Sequence, residues 1–484
     1  MKSSFLFVLL CGAIICSCKT STLLPDEEEE DKIDSSTTIP SLLDSDYLFD
    51  MQTVSEIRLD VELVDWNRFL NYFDQNPHNE ECIPARFTYK KGGQVIELDY
   101  YVGLRLRGNT SRRRPEGSAG QSHNAQNPDW HHCHFVVKFG EYKNNSLFCE
   151  NDRIGLKWHK DDAAYCREVY SYDLFRRFNV YTAPRVAYTR LTINVKGDPK
   201  PAYFGVYVMI EGVNDSYVAN RRKSGHFVSQ SGNLWKASWG ANLSPSSMID
   251  KNFGVENVSL DPSKSEGFIY DLKTNKKQLA NARDQLKDFV NNMNPLPSGS
   301  SQLKDYLEKR VDVDQFLRAY SVNVMVGMWD DYWVNTNNYY FYFDGDGKFY
   351  FIPYDYDNTL GTSHLIANAG TQNMLAWGDL SGERMLMRKI MSIPEYQERY
   401  KKYIKELAQS DDLFKTEGSI ARINTWHSKI LQYVSNDTGE DMAIIDKPAE
   451  WGNCHFYRIF TGNEYGGANG NANFFKSKIK SINF

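Results

Sequence analysis

The sequence predicts an α+β fold with a β-rich N-terminal lobe and a mainly helical C-terminal lobe. Apolar residues alternate along residues 57–63, and residues 186–195 and 203–210 form longer apolar runs, which is the pattern of strands. Apolar residues with helical spacing dominate later, most clearly over residues 316–325. The 484 residues, 41% of them hydrophobic, are enough for one large or two ordinary domains.

The N-terminal residues predict export and lipid anchoring. Residues 1–17 combine a basic start with an apolar stretch too short to span a bilayer, which is typical of a signal peptide. The sequence ICSC at 15–18 resembles a bacterial lipobox, in which Cys18 would become the lipidated first residue; the alternative is an ordinary signal peptide with an incidental cysteine. Residues 18–46 are polar and acidic and predict a disordered tether. We therefore expect a lipoprotein held at the outer membrane, on its periplasmic side or at the cell surface.

Charge and cysteine usage exclude several classes of function. The formal net charge of -6 equals that of the acidic run at 26–31, so the rest of the chain is close to neutral. Without a basic field we expect no nucleic-acid partner. Five cysteines follow Cys18, an odd number without CxxC spacing, so no zinc site or disulfide framework is predicted. The histidines at 131, 132 and 134 could bind a metal, but we expect them in a surface loop.

The strand-rich part carries charged residues suited to a nucleotide-binding lobe. Strands are predicted at 83–98, 100–106 and 135–139, and an amphipathic helix at 163–178. A lysine at a strand end can contact phosphate and be held by a glutamate, and a glycine turn with arginines can approach phosphate through its backbone. The candidates are Arg107, Lys138, Glu168, Glu211 and Lys236. A turn with a basic rim for Arg107, and exposed strand-end charges for the lysines and glutamates, are the commoner explanations for such residues taken one at a time.

Two acidic clusters flank a predicted hairpin in the second part. Asp330 and Asn335 are five residues apart, as are the catalytic Asp and the metal-binding Asn of protein kinases, and Asp355 and Asp357 follow the hairpin. The hairpin should hold the clusters side by side, where carboxylate and amide oxygens could bind Mg²⁺. Asp331 lies outside this spacing, and we expect it to be exposed and dispensable.

Seven segments together resemble the CotH kinase family, the spore-coat-protein-H-like atypical kinases. They are RGNTSR at 107–112, REVYSYDLFRRF at 167–178, GVYVMIEGV at 205–213, NLWKA at 233–237, DLKTN at 271–275, WDDYWVNTNNYYFY at 329–342 and FIPYDYDNTLG at 351–361. The resemblance implies a divergent protein-kinase-like fold over residues 47–410, followed by a C-terminal extension at 411–484. It also implies that the protein binds ATP with Mg²⁺ or Mn²⁺ and phosphorylates Ser or Thr of a protein substrate.

The resemblance assigns roles to the site residues. Asp330 would be the catalytic Asp, with Asn335 and Asp355 as metal ligands and Asp357 as a further candidate ligand. The phosphate-binding lysine would be Lys138 or Lys236, and its glutamate Glu168 or Glu211. Arg107 would contact the nucleotide. The polar insertion at 113–131 departs from the family pattern and could cover the nucleotide site.

Two other functions fit the same sequence. A lipoprotein outside the inner membrane meets almost no ATP, so the chain could be a binding protein that keeps a kinase-like scaffold. The same metal site could instead transfer a nucleotide rather than a phosphate.

Overall fold

The computed structural model describes residues 43–160, 162–362, 365–366, 369–378, 380, 382–438 and 473–484. The predicted signal peptide, Cys18 and nearly all of the tether lie outside these residues, as does Cys454. No helix in the described part of the chain combines the length and apolar character needed to cross a bilayer.

The first part of the chain forms a closed seven-stranded barrel. Its strands are β1 (Ser55–Val61), β2 (Ile83–Lys91), β3 (Gln94–Leu106), β4 (Phe135–Lys138), β5 (Arg153–Lys157), β6 (Val186–Val195) and β7 (Ala202–Glu211). They follow the order β1-β2-β3-β4-β5-β7-β6, and the parallel pair β6 and β1 closes the barrel. Every second residue of β1 is buried, as the alternation predicted. Gly92 and Gly93 turn β2 into β3 with positive φ angles of 57° and 83°, which explains the two glycines.

Four helices accompany the barrel within the described residues. They are α1 (Ser45–Leu48), α2 (Leu63–Gln75), α3 (Arg167–Arg177) and α4 (Asp215–Lys223). Helix α3 contacts both β6 of the barrel and a helix of the second part, Val313–Val326. Most of its residues are therefore buried, including Arg167 and Glu168 near its start.

The second part contains a five-stranded sheet as well as helices. The strands are β8 (Asn233–Ala237), β9 (Phe253–Gly254), β10 (Tyr270–Leu272), β11 (Tyr339–Phe343) and β12 (Phe349–Pro353), in the order β12-β11-β8-β10-β9. The helices are α5 (Leu279–Met293), α6 (Ser301–Arg310), α7 (Val313–Val326), α8 (Met385–Met391), α9 (Pro394–Gln409), α10 (Thr416–Ile430) and α11 (Phe474–Lys480). The predicted α+β class is confirmed. The strand-rich part closes into a barrel, however, and the second part is built around a sheet that the sequence showed only as one hairpin and one short strand.

The described residues beyond 410, at 411–438 and 473–484, pack into the same core as the rest of the second part. The rings of Phe414 and Phe475 lie 5.1 Å apart, and Phe475 is 5.3 Å from Tyr170 of α3. The ammonium group of Lys478 is fully buried, donates to the carbonyl of Ala369 at 2.6 Å and lies over the ring of Trp377. The boundary expected at residue 410 therefore does not coincide with a break in packing.

The insertion at 113–131 is anchored on α2 and on the turn after β6. Arg114 forms two hydrogen bonds with Asp74 of α2, at 2.8 and 3.0 Å. His123 lies between two carboxylates, with Nδ1 2.8 Å from Glu116 and Nε2 2.6 Å from Asp198. These contacts hold this part of the insertion against the side of the barrel. The hydrogen bonds of Asp330, Asp355 and Asp357 are formed with other segments of the chain.

Candidate active site

A buried lysine at the end of β5 gathers three carboxylates. Nζ of Lys157 lies 2.8 Å from Glu168, 2.6 Å from Asp355 and 3.1 Å from Asp357. Only 4% of the Lys157 side chain is exposed. The cluster therefore joins the barrel, the first turn of α3 and the segment that follows β12.

The local structure explains how these side chains meet. Strand β5 pairs with β4 and β7 inside the barrel sheet, and its last residue is Lys157. Glu168 is the second residue of α3, and the five buried residues of β12 end two positions before Asp355. Asp355 has a φ of 63°, a left-handed conformation that is unfavourable for a residue with a side chain. The backbone N–H of Asp355 donates a hydrogen bond to the hydroxyl of Tyr172 of α3 at 3.0 Å, which helps to hold this conformation.

The charges in the cluster are strongly coupled. Burial by itself raises the pKa of Asp355, but Lys157 and Arg107 outweigh it and hold that pKa at about 2. Burial and the neighbouring aspartates raise the pKa of Glu168 to about 7 even though Lys157 opposes them. Burial opposes the charged form of Lys157, yet the carboxylates raise its pKa well above the ordinary value. Lys157 and Asp355 are therefore ionised across the physiological range.

Asp330 precedes the hairpin in sequence, whereas Asp355 and Asp357 follow it. It lies close enough to Asp355 for that charge to change its pKa. The side-chain N–H groups of Asn335 and Asn338 donate to its carboxylate at 2.6 and 2.8 Å. Burial raises the pKa of Asp330, the hydrogen bond from Asn335 lowers it, and the negative charge of Asp355 raises it again. The two acidic clusters that the sequence placed on either side of one hairpin thus form a single electrostatic unit.

Asp331 is buried, which contradicts the expectation that it is exposed. Only 1% of the residue is accessible, and its carboxylate accepts the backbone N–H of Val334 at 2.9 Å. Its backbone carbonyl accepts the N–H groups of Asn335 and Asn337 at 3.0 and 3.1 Å. Burial raises the pKa of the Asp331 carboxyl to about 7. Asp331 therefore shapes the loop that presents Asn335, and we no longer expect it to be dispensable.

The fold separates the other candidates. Lys138 is half-buried and pairs with Glu141, and Glu211 is buried in a pair with Arg221 at 2.7 Å, so neither belongs to the Lys157 cluster. Lys236 lies in β8, in register with Tyr340 of β11, and is not among the partners of Lys157 in the cluster.

Arg107 belongs to the edge of the cluster. Its Nη2 donates to the hydroxyl of Tyr354 at 2.7 Å. Burial opposes the charged form of Arg107, but the nearby Tyr354, Asp355 and Glu168 raise its pKa. Of the paired alternatives in the sequence, the structure brings Glu168 to a buried lysine, and that lysine is neither Lys138 nor Lys236.

Lys157 is the site residue that the sequence analysis missed. Its strand has the short sequence RIGLK, without the alternation that reveals a half-buried strand. The usable signal was its position, since it is the last lysine but one before Glu168 and closes an apolar run. His132 and His134 were also misjudged as surface residues, because both are buried, at 2% and 4% exposure.

The donor set suits a divalent cation bound together with phosphate. Asp330, Asp355 and Asp357 offer carboxylate oxygens and Asn335 an amide oxygen, which are the ligands that Mg²⁺ prefers. Across the residues that the structure describes, no three His, Cys, Asp or Glu side chains are placed to hold a metal by themselves. Magnesium commonly binds through one or two carboxylates plus substrate phosphates, so these residues fit a metal that arrives with a nucleotide.

Comparisons with known proteins find matches for the part of the chain that contains this site. The family model described as CotH kinase protein matches residues 104–451, which is most of the chain and includes every residue of the cluster. A curated protein named Invasin CotH3, from Rhizopus delemar, is 22% identical over 248 residues. That match covers 51% of this chain and 36% of the relative, so the chain corresponds to only about a third of the relative's length.

Proposed function

Because the chain belongs to the CotH kinase protein family, we propose that it is a metal-dependent atypical protein kinase that transfers phosphate from ATP to Ser or Thr of a protein. The observation that supports this most directly is the bridge from Lys157 to Glu168, Asp355 and Asp357. The order of parts along the chain also supports it. A strand lysine, a helix glutamate, a loop Asp with an Asn five residues later, and an Asp after a hairpin follow one another as in protein kinases.

Each residue of the proposed site has a defined task. Lys157, fixed by Glu168, binds phosphate oxygens, and Arg107 adds a second cation at the edge. Asp355, Asp357 and Asn335 would hold Mg²⁺ or Mn²⁺, which when bound neutralises the charge on the phosphates.

A bound metal must compete with Lys157 for the carboxylates of Asp355 and Asp357, and the phosphates of a nucleotide must compete with these carboxylates for Lys157. Glu168, Asp355 and Asp357 surround Lys157, Arg107 is the second cation, and Asp330 adds a fourth carboxylate close to Asp355. This excess of negative charge favours the arrival of a dication. When phosphate arrives with it, Lys157 can exchange its contacts with Asp355 and Asp357 for phosphate oxygens while it keeps Glu168.

Asp330 would orient the acceptor hydroxyl and accept its proton. Hydrogen bonds from Asn335 and Asn338 fix its carboxylate, and a raised pKa makes it a better base than an ordinary aspartate. A positioned general base contributes about 10²–10⁴-fold to a rate. Asp330→Asn should therefore lose phosphate transfer by about that factor and keep ATP affinity.

The test is mass analysis of the protein and of a mixture of unfolded Ser- and Thr-containing acceptors after incubation with ATP and Mn²⁺. A gain of one phosphate that Asp330→Asn abolishes supports the proposal. A gain of a nucleotide would show nucleotidyl transfer instead. ATP binding without any transfer would favour a binding protein on a kinase-like scaffold, and no ATP binding at all would end the kinase interpretation.

We also propose that Cys18 anchors the protein to a membrane through lipid, which would place its protein substrates outside the cytoplasm. The support is the ICSC sequence at 15–18 after a signal-like segment. Stable anchoring requires more than one acyl chain. The wild type should partition into the detergent phase and Cys18→Ala into the aqueous phase; equal partitioning of the two would refute the anchor.

A further inference from the structure

His134 lies beside the Lys157 cluster, immediately before β4, and is 4% exposed. Its backbone carbonyl accepts a hydrogen bond from the N–H of Arg107 at 2.9 Å. Its ring atom Nδ1 accepts a hydrogen bond from the N–H of Trp158 at 2.9 Å. Trp158 directly follows Lys157. His134 is therefore held by two backbone N–H groups, one of Arg107 and one next to Lys157, and these are the two cations that the proposed function assigns to phosphate binding.

The hydrogen bond from Trp158 determines which ring nitrogen of His134 carries the proton. A backbone N–H can only donate, so Nδ1 must accept, and in a neutral ring the proton lies on Nε2. The Cδ2 atom, which is bonded to Nε2, faces Gly108 of the RGNTSR turn, since a β-carbon on Gly108 would lie 3.7 Å from it. This edge of the ring thus points toward the turn that adjoins Arg107.

The ring of His134 is neutral at physiological pH. Burial lowers its pKa well below the ordinary value, and the charges of Lys157 and Arg107 lower it further. Within the described residues, the ring forms its hydrogen bond through Nδ1, and Nε2 has no protein partner. The site therefore contains, on a buried residue, an N–H donor with a fixed direction that the proposed function has not used.

We propose that the Nε2–H of His134 donates a hydrogen bond to a phosphate oxygen of the bound nucleotide. This inference rests on the proposed function. A neutral donor suits this position for an electrostatic reason. It adds a hydrogen bond to an anion without placing a third cation beside Lys157 and Arg107, and without competing with a metal for Asp355.

Two substitutions separate the roles of the two ring nitrogens. His134→Asn keeps an acceptor near the position of Nδ1 for the Trp158 N–H and removes the donor at Nε2. His134→Gln restores an amide N–H at about the reach of Nε2. His131→Asn is the matched control, because His131 is half-buried three residues earlier and its Nδ1 binds the carbonyl of Arg114 at 3.0 Å.

ATP binding with Mn²⁺ is measured by calorimetry, and adenosine binding by displacement of a fluorescent nucleotide. His134→Asn should bind ATP about ten- to a hundredfold more weakly, the effect of losing one hydrogen bond to a charged group. Adenosine affinity should stay at the wild-type value, His134→Gln should recover part of the ATP affinity, and His131→Asn should bind ATP like the wild type.

The outcomes distinguish this inference from the proposed function. If the wild type binds ATP and folded His134→Asn binds it equally well, the inference is wrong and the proposed function stands. If the wild type binds no ATP, both fail. Should His134→Asn not fold, wild-type protein with ¹⁵N-labelled histidine decides: ATP must shift the Nε2 resonance of His134 more than its Nδ1 resonance, and an unshifted Nε2 overturns the inference.

Discussion

At the scale of single residues, Lys157 controls the charge balance of the site. Lys157→Met would leave the carboxylates of Glu168, Asp355 and Asp357 without their shared cation. We expect the variant to lose phosphate transfer and to be less stable than the wild type without metal, because like charges would then face one another in a buried place. Mn²⁺ should raise its melting temperature more than that of the wild type, since the metal no longer competes with an ammonium group.

Lys138→Met is the matched control for Lys157→Met. Lys138 also ends a barrel strand, but it is partly exposed and, among the residues that the structure describes, forms its ion pair with the nearby Glu141. Partly exposed ion pairs contribute about 0–1 kcal/mol, so this variant should melt close to the wild type and retain transfer. Calorimetric melting with and without Mn²⁺ tests both variants. Equal behaviour of the two would show that the Lys157 bridge is not part of the site.

Burial of polar residues was the part of the site that sequence could not predict. Asp330 and Asp331 are adjacent and chemically identical, yet the first is half-buried among asparagine side chains and the second is fully enclosed. Kinase spacing selected Asp330, whose pKa the charge of Asp355 raises, but exposure depends on how the loop turns. The hydrogen bonds from the backbone N–H groups of Asn335 and Asn337 to the Asp331 carbonyl set that turn. No local sequence pattern predicts these hydrogen bonds.

At the scale of elements, the hairpin was predictable and the barrel was not. Strands β11 and β12 are neighbours in sequence, joined by a glycine-rich turn, so their pairing is local. Closure of the barrel depends on β1 pairing with β6, and the bond from Lys157 to Asp355 joins residues 198 positions apart. Contacts between such distant residues leave no periodic pattern in a single sequence, which is why the cluster's lysine was missed while its aspartates were found.

The insertion at 113–131 contains a pH-dependent anchor. Burial by itself lowers the pKa of His123, but hydrogen bonds to Glu116 and Asp198 outweigh this effect and raise it. A raised pKa in the folded state means that the stabilisation is complete below the unfolded pKa of about 6.5 and is lost as the pH rises through the folded value. The melting temperature of the wild type should therefore exceed that of His123→Gln most at pH 5–6, by a margin that shrinks toward higher pH.

His78→Gln is the control for this pH dependence, because His78 is exposed. Its melting curve should follow the wild type at every pH. Melting of the three proteins by calorimetry between about pH 5 and 9 checks the prediction, in a range that brackets the ordinary histidine pKa. A difference between His123→Gln and the wild type that is constant with pH would show that His123 contributes by packing alone, for instance against the ring of Trp130.

At the scale of the whole molecule, the described residues after 410 belong to the core that supports the site. The rings of Phe414 and Phe475 pack on Tyr170, two residues after Glu168 in α3. Helix α3 also donates from Arg167 to the carbonyl of Thr359 at 3.0 Å, next to the DYDN segment. Movement of α3 would therefore displace both the glutamate that holds Lys157 and the segment that carries Asp355.

Removal of residues 411–484 should consequently disrupt the whole second part of the protein rather than detach an extension. Phe475→Ala provides the smaller test, with an expected loss of about 3–5 kcal/mol in the free energy of unfolding, as for other buried phenylalanines. Denaturant unfolding of both chains measures the effect, and Mn²⁺–ATP binding reports on the site. The exposed Trp239→Ala serves as the aromatic control and should change neither. If the chain ending at residue 410 unfolds cooperatively at the wild-type midpoint, the segment is the separate extension that the sequence suggested, and the link from α11 through Tyr170 to Glu168 is wrong.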